Sequence, residues 1–249
     1  MKIKFLILLL TLALYGCAST ATPEQAAAFA QEPMITDPYE PFNRAMYGLN
    51  KNLDSVLVKP LAQGYVAVTP PKVRESVGNF FGNIEEISVF VNTVLQARFA
   101  DAGKTAARFA INSTLGILGI FDVAAVNMDL EEAQGDFGQT FYVWGIKRSA
   151  YLVLPVLGPT TGREAVGKVP GYFFSVWDFT PWEVQIAAFG LMAIDVRSQY
   201  LDQEEILSSA FDEYSLVRDI YIQQREDFLS GQEDVTDWDE DLINEHEVY

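Results

Sequence analysis

A single cysteine, Cys17, stands in this chain of 249 residues. One thiol closes no intramolecular disulfide, so whatever fold forms is held by packing alone, even in an oxidising compartment. The position of that thiol constrains the chain further. Lys2 and Lys4 precede an apolar run from Phe5 to Leu14 broken only by Thr11, and Tyr15 and Gly16 follow. A short basic region, a short apolar core and a small residue before the cut make a secretory signal. The core is too short to span a bilayer. Leu14-Tyr15-Gly16-Cys17 has the form of a bacterial lipobox, which predicts cleavage before Cys17 and acylation of its thiol and of the new N-terminus. Ala18 follows instead of an inner-membrane-retaining aspartate, which points to the outer membrane, facing the periplasm. Several acyl chains make such an anchor stable.

Cleavage removes residues 1–16 and leaves 233 of the 249. It also removes Lys2 and Lys4, which takes the net charge from −17 to −19. So acidic a protein excludes nucleic acid as a partner and disfavours electrostatic docking on anionic lipid. Any membrane grip has to be hydrophobic. The composition, 49% hydrophobic and 13% aromatic, is that of a chain with a large core and not of a disordered one.

Residues 17–36, rich in Ala, Thr, Gln, Glu and Pro, are expected to be a lipidated tether. A mainly α-helical domain is predicted over 37–231. Asp37-Pro38-Tyr39-Glu40 has the marks of a helix start: Asp as N-cap, Pro in the first turn, Glu three residues on. Phe42, Met46, Leu49 and Leu53 then share one apolar face. Thr180-Pro181-Trp182-Glu183 announces a helix to about Tyr200. Thr161-Gly162-Arg163-Glu164 announces a short one stopping near Pro170. Asp202-Gln203-Glu204-Glu205 opens a long last helix to about Gly231, with Leu207, Phe211, Tyr214, Val217 and Tyr221 on one side. Helices are also predicted over 83–99, with Ile87, Phe90, Val91, Val94 and Leu95 inward, and over 101–115, closed by Gly116. Only residues 151–157 look strand-like. Residues 232–249, with eight acidic residues and no Lys or Arg, are expected to form a disordered acidic tail.

Catalytic and metal chemistry is scarce. The sole histidine, His246, lies in that tail, so no Ser-His or Cys-His pair and no histidine zinc site is expected in the domain. Gly162 to Lys168 has phosphate-loop spacing up to the lysine. Val169 then replaces the magnesium-holding Ser or Thr, and Pro170 ends the helix that should cradle phosphates. No cofactor is expected. The remaining chemistry faces lipid: the apolar stretches 109–126 and 184–196, and the aromatic cluster of Tyr172, Phe173, Phe174, Trp177, Phe179 and Trp182. Rings with polar tips favour membrane interfaces.

Asp37-Pro38-Tyr39-Glu40-Pro41-Phe42-Asn43-Arg44-Ala45-Met46-Tyr47 resembles the opening motif of the VacJ/MlaA outer-membrane lipoproteins. So do Val77-Gly78-Asn79-Phe80 with Asn83-Ile84-Glu85-Glu86, and the run Arg108 to Gly116. Phe121-Asp122-Val123-Ala124, Asp136-Phe137-Gly138-Gln139-Thr140 and Tyr151 to Pro155 with Gly158-Pro159 follow in order. The resemblance implies an all-α, single-domain, ring-like assembly in the inner leaflet of the outer membrane, with a central amphipathic channel. It implies association with a trimeric porin, removal of phospholipid mislocalised in the outer leaflet and delivery to a soluble periplasmic lipid carrier. Phe42, Asn43, Arg44, Asn79, Asn112, Asp136 and Gln139 are carried over as lipid-path candidates. Arg163 and Lys168 join them from the residues themselves: two cations in an acidic chain beside Gly158, Pro159 and Gly162. Moving a charged head group through hydrocarbon is very costly, and a polar-lined passage lowers that barrier without breaking a bond. The competing expectations are a structural porin-associated lipoprotein without transport activity and an enzyme acting on lipid or cell wall.

Replacing the thiol tests the anchor. Cys17→Ser is expected to yield an uncleaved or soluble periplasmic form, whereas mass spectrometry of the mature wild-type protein is expected to find acyl chains on Cys17.

Overall fold

The computed structural model describes residues 33–173, 177 and 180–230. The signal, Cys17 and most of the tether, part of the aromatic cluster, and the acidic tail with His246 lie outside the described residues. The domain is helical with one small sheet. A two-residue strand, β1 (Ile35–Thr36), is followed by α1 (Glu40–Leu53), a π-helical segment (Asp54–Val58) and α2 (Lys59–Val68). The long α3 (Pro71–Leu95) packs along α4 (Phe99–Thr114). Short α5 (Val123–Met128) and α6 (Phe137–Val143) lead to a hairpin, β2 (Ser149–Leu154) and β3 (Gly158–Thr161). Then come α7 (Gly162–Phe173), α8 (Trp182–Gln199), a 3-10 turn (Leu201–Gln203), α9 (Glu204–Ser209) and α10 (Glu213–Ser230).

The sheet runs β1-β2-β3. Ile35 and Thr36 pair parallel with Ser149 and Ala150, while β2 and β3 pair antiparallel from Tyr151 opposite Thr161 to Leu154 opposite Gly158. The sheet thus takes in the last two residues of the predicted tether, because β2 offers an edge that Ile35 and Thr36 complete. Tyr151 and Val153 alternate inward, as a pleated strand requires. They meet Ile35 and Tyr214, with Met34, Met46, Tyr47, Tyr221 and Ile222 around them.

Several helix limits differ from the sequence expectation for identifiable reasons. Asp37 does not cap α1. Its carboxylate accepts from Asn43 Nδ2 at 2.8 Å and from the Tyr214 hydroxyl at 2.5 Å. Thr161 and Glu164 do form the reciprocal box at the start of α7: the Thr161 amide donates to Glu164 Oε2 at 2.8 Å and the Glu164 amide to Thr161 Oγ1 at 3.2 Å. That helix continues through Pro170. Gly167 and Gly171, one turn apart, both lie against Phe137, so packing on α6 carries the helix past the missing amide. The last helix is split. Ala210 is extended, and Asp212 caps α10 by accepting from the Ser215 amide at 3.4 Å, with the Ser215 hydroxyl donating to its other oxygen at 2.7 Å. Phe211, expected on one side of a continuous helix with Leu207 and Tyr214, is fully exposed at this break. Helix α3 starts twelve residues early because Pro71 suits the first helical turn after extended Pro70. The π-helical turn has a similar origin. Pro60 has no amide to give, and the Lys59 amide reaches back to Asp54 O.

Polarity is distributed against expectation. On α3 the buried residues are Asn83, Glu86, Val89, Asn92 and Thr93, whereas Phe90 and Val94 face out. On α1 the buried residue is Asn43, and Phe42, Leu49 and Leu53 are exposed. Among the described residues, buried polar and charged side chains outnumber buried apolar ones. About half of the large apolar side chains are exposed, with Val68 at 81% and Val126 at 82%.

The loop after α4 shows how tightly one apolar projection is tied down. Ile117, Leu118 and Gly119 are consecutive left-handed residues, and the Leu118 and Gly119 amides donate back to Ser113 O and Asn112 O at 3.1 and 2.8 Å. Gly119 has φ +89°, and a Cβ there would lie 2.4 Å from Asn83 Cβ. Gly119→Ala is therefore expected to destabilise the domain by about 3 kcal/mol, from overpacking and left-handed strain together, measured by thermal denaturation in non-ionic detergent.

Candidate functional site

The candidate residues fall into three polar clusters and a few outward positions. In the first, Asn43 is 0% exposed. Its Nδ2 donates to Asp37 and, at 3.0 Å, to Tyr151 O, while its Oδ1 accepts from the Val153 amide at 2.9 Å. One side-chain amide thereby completes the backbone bonding of β2 and binds it to α1. Arg44 points elsewhere. It forks onto Asp212 at 3.0 and 2.7 Å, reaches Glu40 at 2.7 Å and lies over the Tyr214 ring. These bonds hold the Asp212 carboxyl well below the usual carboxylate range. Phe42 faces out. The three consecutive candidates therefore do three different things.

The second cluster joins α3, α4 and the start of α5. Buried Arg108 donates through Nε to Glu86 at 2.5 Å, through Nη2 to Asp122 at 3.0 Å and through Nη1 to Leu130 O. Asn112, one turn on, donates to Asp122 Oδ1 at 2.9 Å and accepts from the Ala124 amide at 2.9 Å. Asp122 also caps α5 by accepting from the Ala125 amide at 3.0 Å. On α3, Asn79 reaches the apolar loop at Ile120 O (3.5 Å), and Asn83 reaches the end of α4 at Ser113 Oγ (3.0 Å). Two carboxylates share one guanidinium, and they divide. Burial raises the Glu86 pKa, and Arg108 offsets this only in part. Burial also acts upward on Asp122, but the Ala125 amide, Asn112 and Arg108 outweigh it and hold Asp122 below its ordinary value.

The third cluster joins α6, α7 and α10. Asp136 caps α6 by accepting from the Gln139 amide at 2.6 Å and takes both Nη atoms of Arg225 at 2.6 and 2.9 Å. Arg225 Nε pairs with Glu164 at 3.1 Å, and Glu164 accepts from the Tyr221 hydroxyl. Gln139 donates to Phe228 O at 3.2 Å. Gly138 makes room for this assembly, since a Cβ there would lie 2.7 Å from both Arg225 Nη2 and Glu164 Cγ. Arg163 is only 4% exposed, with Nη1 donating to Ile146 O at 2.9 Å and Lys147 O at 3.1 Å. Burial, and then the like charge of Arg225, lower its pKa. The amides of Arg163 and Glu164 are taken by Ser149 and Thr161, so this helix start is closed to the phosphates of a phosphate loop. Lys168, five residues on, is exposed.

The fold thus brings Asp136, Gln139 and Arg163 together and separates Arg163 from Lys168. Glu86, Arg108, Asp122, Glu164 and Arg225 complete the buried clusters, although none was among the sequence candidates. The signal for one of them was present: Arg108 lies one turn before Asn112 on an otherwise apolar run. Among the described residues no group of three or more His, Cys, Asp or Glu is placed to hold a metal ion.

The outer surface carries the other candidate chemistry. Leu115, Ile117, Leu118 and Phe121 project from the strained loop, and Trp182, Val184, Ile186 and Phe189 from α8. Trp177 packs between Phe81 and Phe189, with centroids at 6.3 and 5.9 Å. No described helix is long and apolar enough to cross a membrane. The domain carries many large apolar side chains outside and buried charges within, a distribution unlike that of an ordinary soluble domain.

The model of the MlaA lipoprotein family matches residues 35–227. The chain is 34% identical over 235 residues to the intermembrane phospholipid transport system lipoprotein MlaA of Escherichia coli, covering 93% of this chain and 90% of that protein. It is 30% identical over 231 residues to the protein of the same name from Haemophilus influenzae, covering 90% and 89% respectively. A structure solved in work on the structural basis for maintenance of bacterial outer membrane lipid asymmetry superposes with a TM-score of 0.70 at 30% identity, covering 78% of this chain and 98% of that one. The chain belongs to the MlaA lipoprotein family.

The shared guanidinium gives a two-signed acid profile. Glu86, with its raised pKa, adds stability as pH falls through that value toward the ordinary 4.5. Asp122, with its lowered pKa, contributes stability above the ordinary 3.8 that is lost on further acidification through its depressed value. Glu86→Gln is expected to abolish the rise and Asp122→Asn to shift the fall. Arg108→Met leaves two carboxylates without their cation and is expected to cost about 3–5 kcal/mol at neutral pH. Melting temperature against pH in non-ionic detergent checks all three.

Proposed function

We propose that this protein is an outer-membrane lipoprotein that removes mislocalised phospholipid from the outer leaflet and passes it to a soluble periplasmic carrier, so maintaining lipid asymmetry. The observation that carries the reading is the inverted polarity of the fold. Apolar side chains on α1, α2, α8 and the 115–121 loop face outward, while α3, α4, α6 and α10 enclose Asn, Thr, Glu and Arg. A body of this kind sits in the inner leaflet, held by its surface as well as by acyl chains on Cys17, and offers a head group polar contacts where bare hydrocarbon offers none. In this reading the helices surround an amphipathic channel, and a trimeric porin holds the assembly in place. The names of the E. coli and H. influenzae relatives support phospholipid as the cargo.

Within this reading the candidates separate by placement. Phe42 and Lys168 are exposed and able to meet lipid directly, and half-buried Asn79 lies beside the apolar loop. Asn43, Arg44, Asn112, Asp136 and Gln139 act by fixing the helices that border the path. No residue is assigned a bond-breaking role, since transfer requires none.

The test is the phospholipid content of the cell surface, read by an impermeant amine-reactive label or by phospholipase accessibility. Deleting the gene is expected to raise that content severalfold, and the wild-type chain to restore it. Unchanged surface phospholipid in the deletion strain favours a structural, porin-bracing role. Embedding is checked separately: the Cys17→Ser protein is expected still to partition into detergent micelles.

A further inference from the structure

We propose that Arg163 forms a subsite for a phosphate oxyanion, an inference that rests on the lipid-transfer reading and names the group by which cargo is held. Arg163 is anchored through one nitrogen only, its Nη1 bound to the carbonyls of Ile146 and Lys147. Its Nε and Nη2 are buried and have no hydrogen-bond partner. Those two atoms are one edge of the guanidinium. That edge presents two parallel N–H groups, the geometry that receives two oxygens of one phosphate.

The neighbouring carboxylates are committed elsewhere. Both Asp136 oxygens are held by Arg225. One Glu164 oxygen pairs with Arg225 Nε, and the other accepts from the Thr161 amide and the Tyr221 hydroxyl. Two arginines thus stand near two carboxylates, and Arg225 takes both. Arg163 is left with two carbonyls and the face of Tyr142, whose ring centre lies 5.3 Å from its Cζ. The same ring carries a second cation, Lys147, with Nζ at 3.6 Å. A buried cation with open donors is destabilising until an anion meets it. In a chain of net charge −17, this is a local concentration of positive charge without a counter-ion of its own. Both open nitrogens are covered, so the anion reaches them only with a local shift of the side chains above. The chemistry fits the phosphodiester of a phospholipid head group and equally free inorganic phosphate. The test separates these sources.

The experiment uses the full lipidated protein in dodecyl maltoside with 15N-labelled arginine. The Nε–Hε resonance of Arg163 is identified by its loss in Arg163→Lys. Dihexanoyl phosphatidylglycerol, inorganic phosphate and dihexanoylglycerol are titrated in separate arms. A saturable shift with phosphatidylglycerol, and none with the phosphate-free dihexanoylglycerol, is expected. An equal shift with inorganic phosphate supports the subsite and assigns it to phosphate in general. No shift with either phosphate compound overturns the proposal and leaves the open donors to buried water. Should the variant not fold, the wild-type resonance is assigned through its contact with the Tyr142 ring, and the wild-type response still decides. Where it does fold, Arg163→Lys keeps the charge but loses the fork and is expected to weaken phosphatidylglycerol binding, read by calorimetry, about tenfold. The measurement does not depend on transport, so failure here and failure of the cell-surface test are distinct results.

Discussion

Arg108, Arg163 and Arg225 are buried between helices in a domain that exposes about half of its large apolar side chains. The architecture depends on that exchange. Helices that give their apolar faces to the surroundings keep mainly polar faces for one another, and those faces cohere through the buried charges that are paired. Arg108 draws α3, α4 and the start of α5 onto one guanidinium. Arg225 does the same for α6, α7 and α10. Asn43 performs the neutral equivalent for α1 and β2. Such contacts are directional where hydrophobic packing is not, so they fix helix positions closely without drawing on the apolar outer faces.

This exchange explains what the sequence made legible. Periodicity located the helices, because a helix alternates faces whichever face is buried. It could not tell which face that was. The apolar stripe Phe42, Leu49 and Leu53 marks the outside of α1, and Phe90 and Val94 mark the outside of α3. The inward stripe of α3, Asn83, Glu86, Val89, Asn92 and Thr93, has equally regular spacing in polar residues. Local capping chemistry was readable where it acted locally, as at Thr161 and Glu164. It failed at Asp37, whose carboxylate serves Asn43 and the distant Tyr214.

The candidate residues show the same division. Asn112 and Asp136 proved to be central to the clusters, while Glu86, which meets Arg108 one turn before Asn112, and Arg225, which meets Asp136, come from other helices. Pairing of that kind is set by tertiary position, and no spacing within one segment encodes it. Arg163 and Lys168 looked equivalent as two cations on one short helix. Five residues on an α-helix is about 140° beyond a full turn, and burial of the one beside exposure of the other follows from that angle. Pro170 was expected to stop the same helix, yet Gly167 and Gly171 let it lie close enough to Phe137 to continue.

The π-helical segment between α1 and α2 sets the phase of everything after it. A wide turn holds one residue more than an α-helical turn, and each residue rotates the following helix by about 100°. The turn is clasped from outside: Arg197 grips Asp54 at 2.8 and 2.9 Å, and Glu204 grips Lys59 at 2.6 Å. With this phase, Tyr65 on α2 meets buried Asp195 on α8 at 2.9 Å, while Val56, Leu57 and Leu61 point away from the domain. Remove one residue from the segment and an ordinary α-helix would join α1 to α2 without a break. Tyr65 would then swing away from Asp195, and the apolar stripe would turn toward the protein's own charges. The extra residue acts as a gear tooth: it keeps the apolar outer side of α2 in step with that of α1.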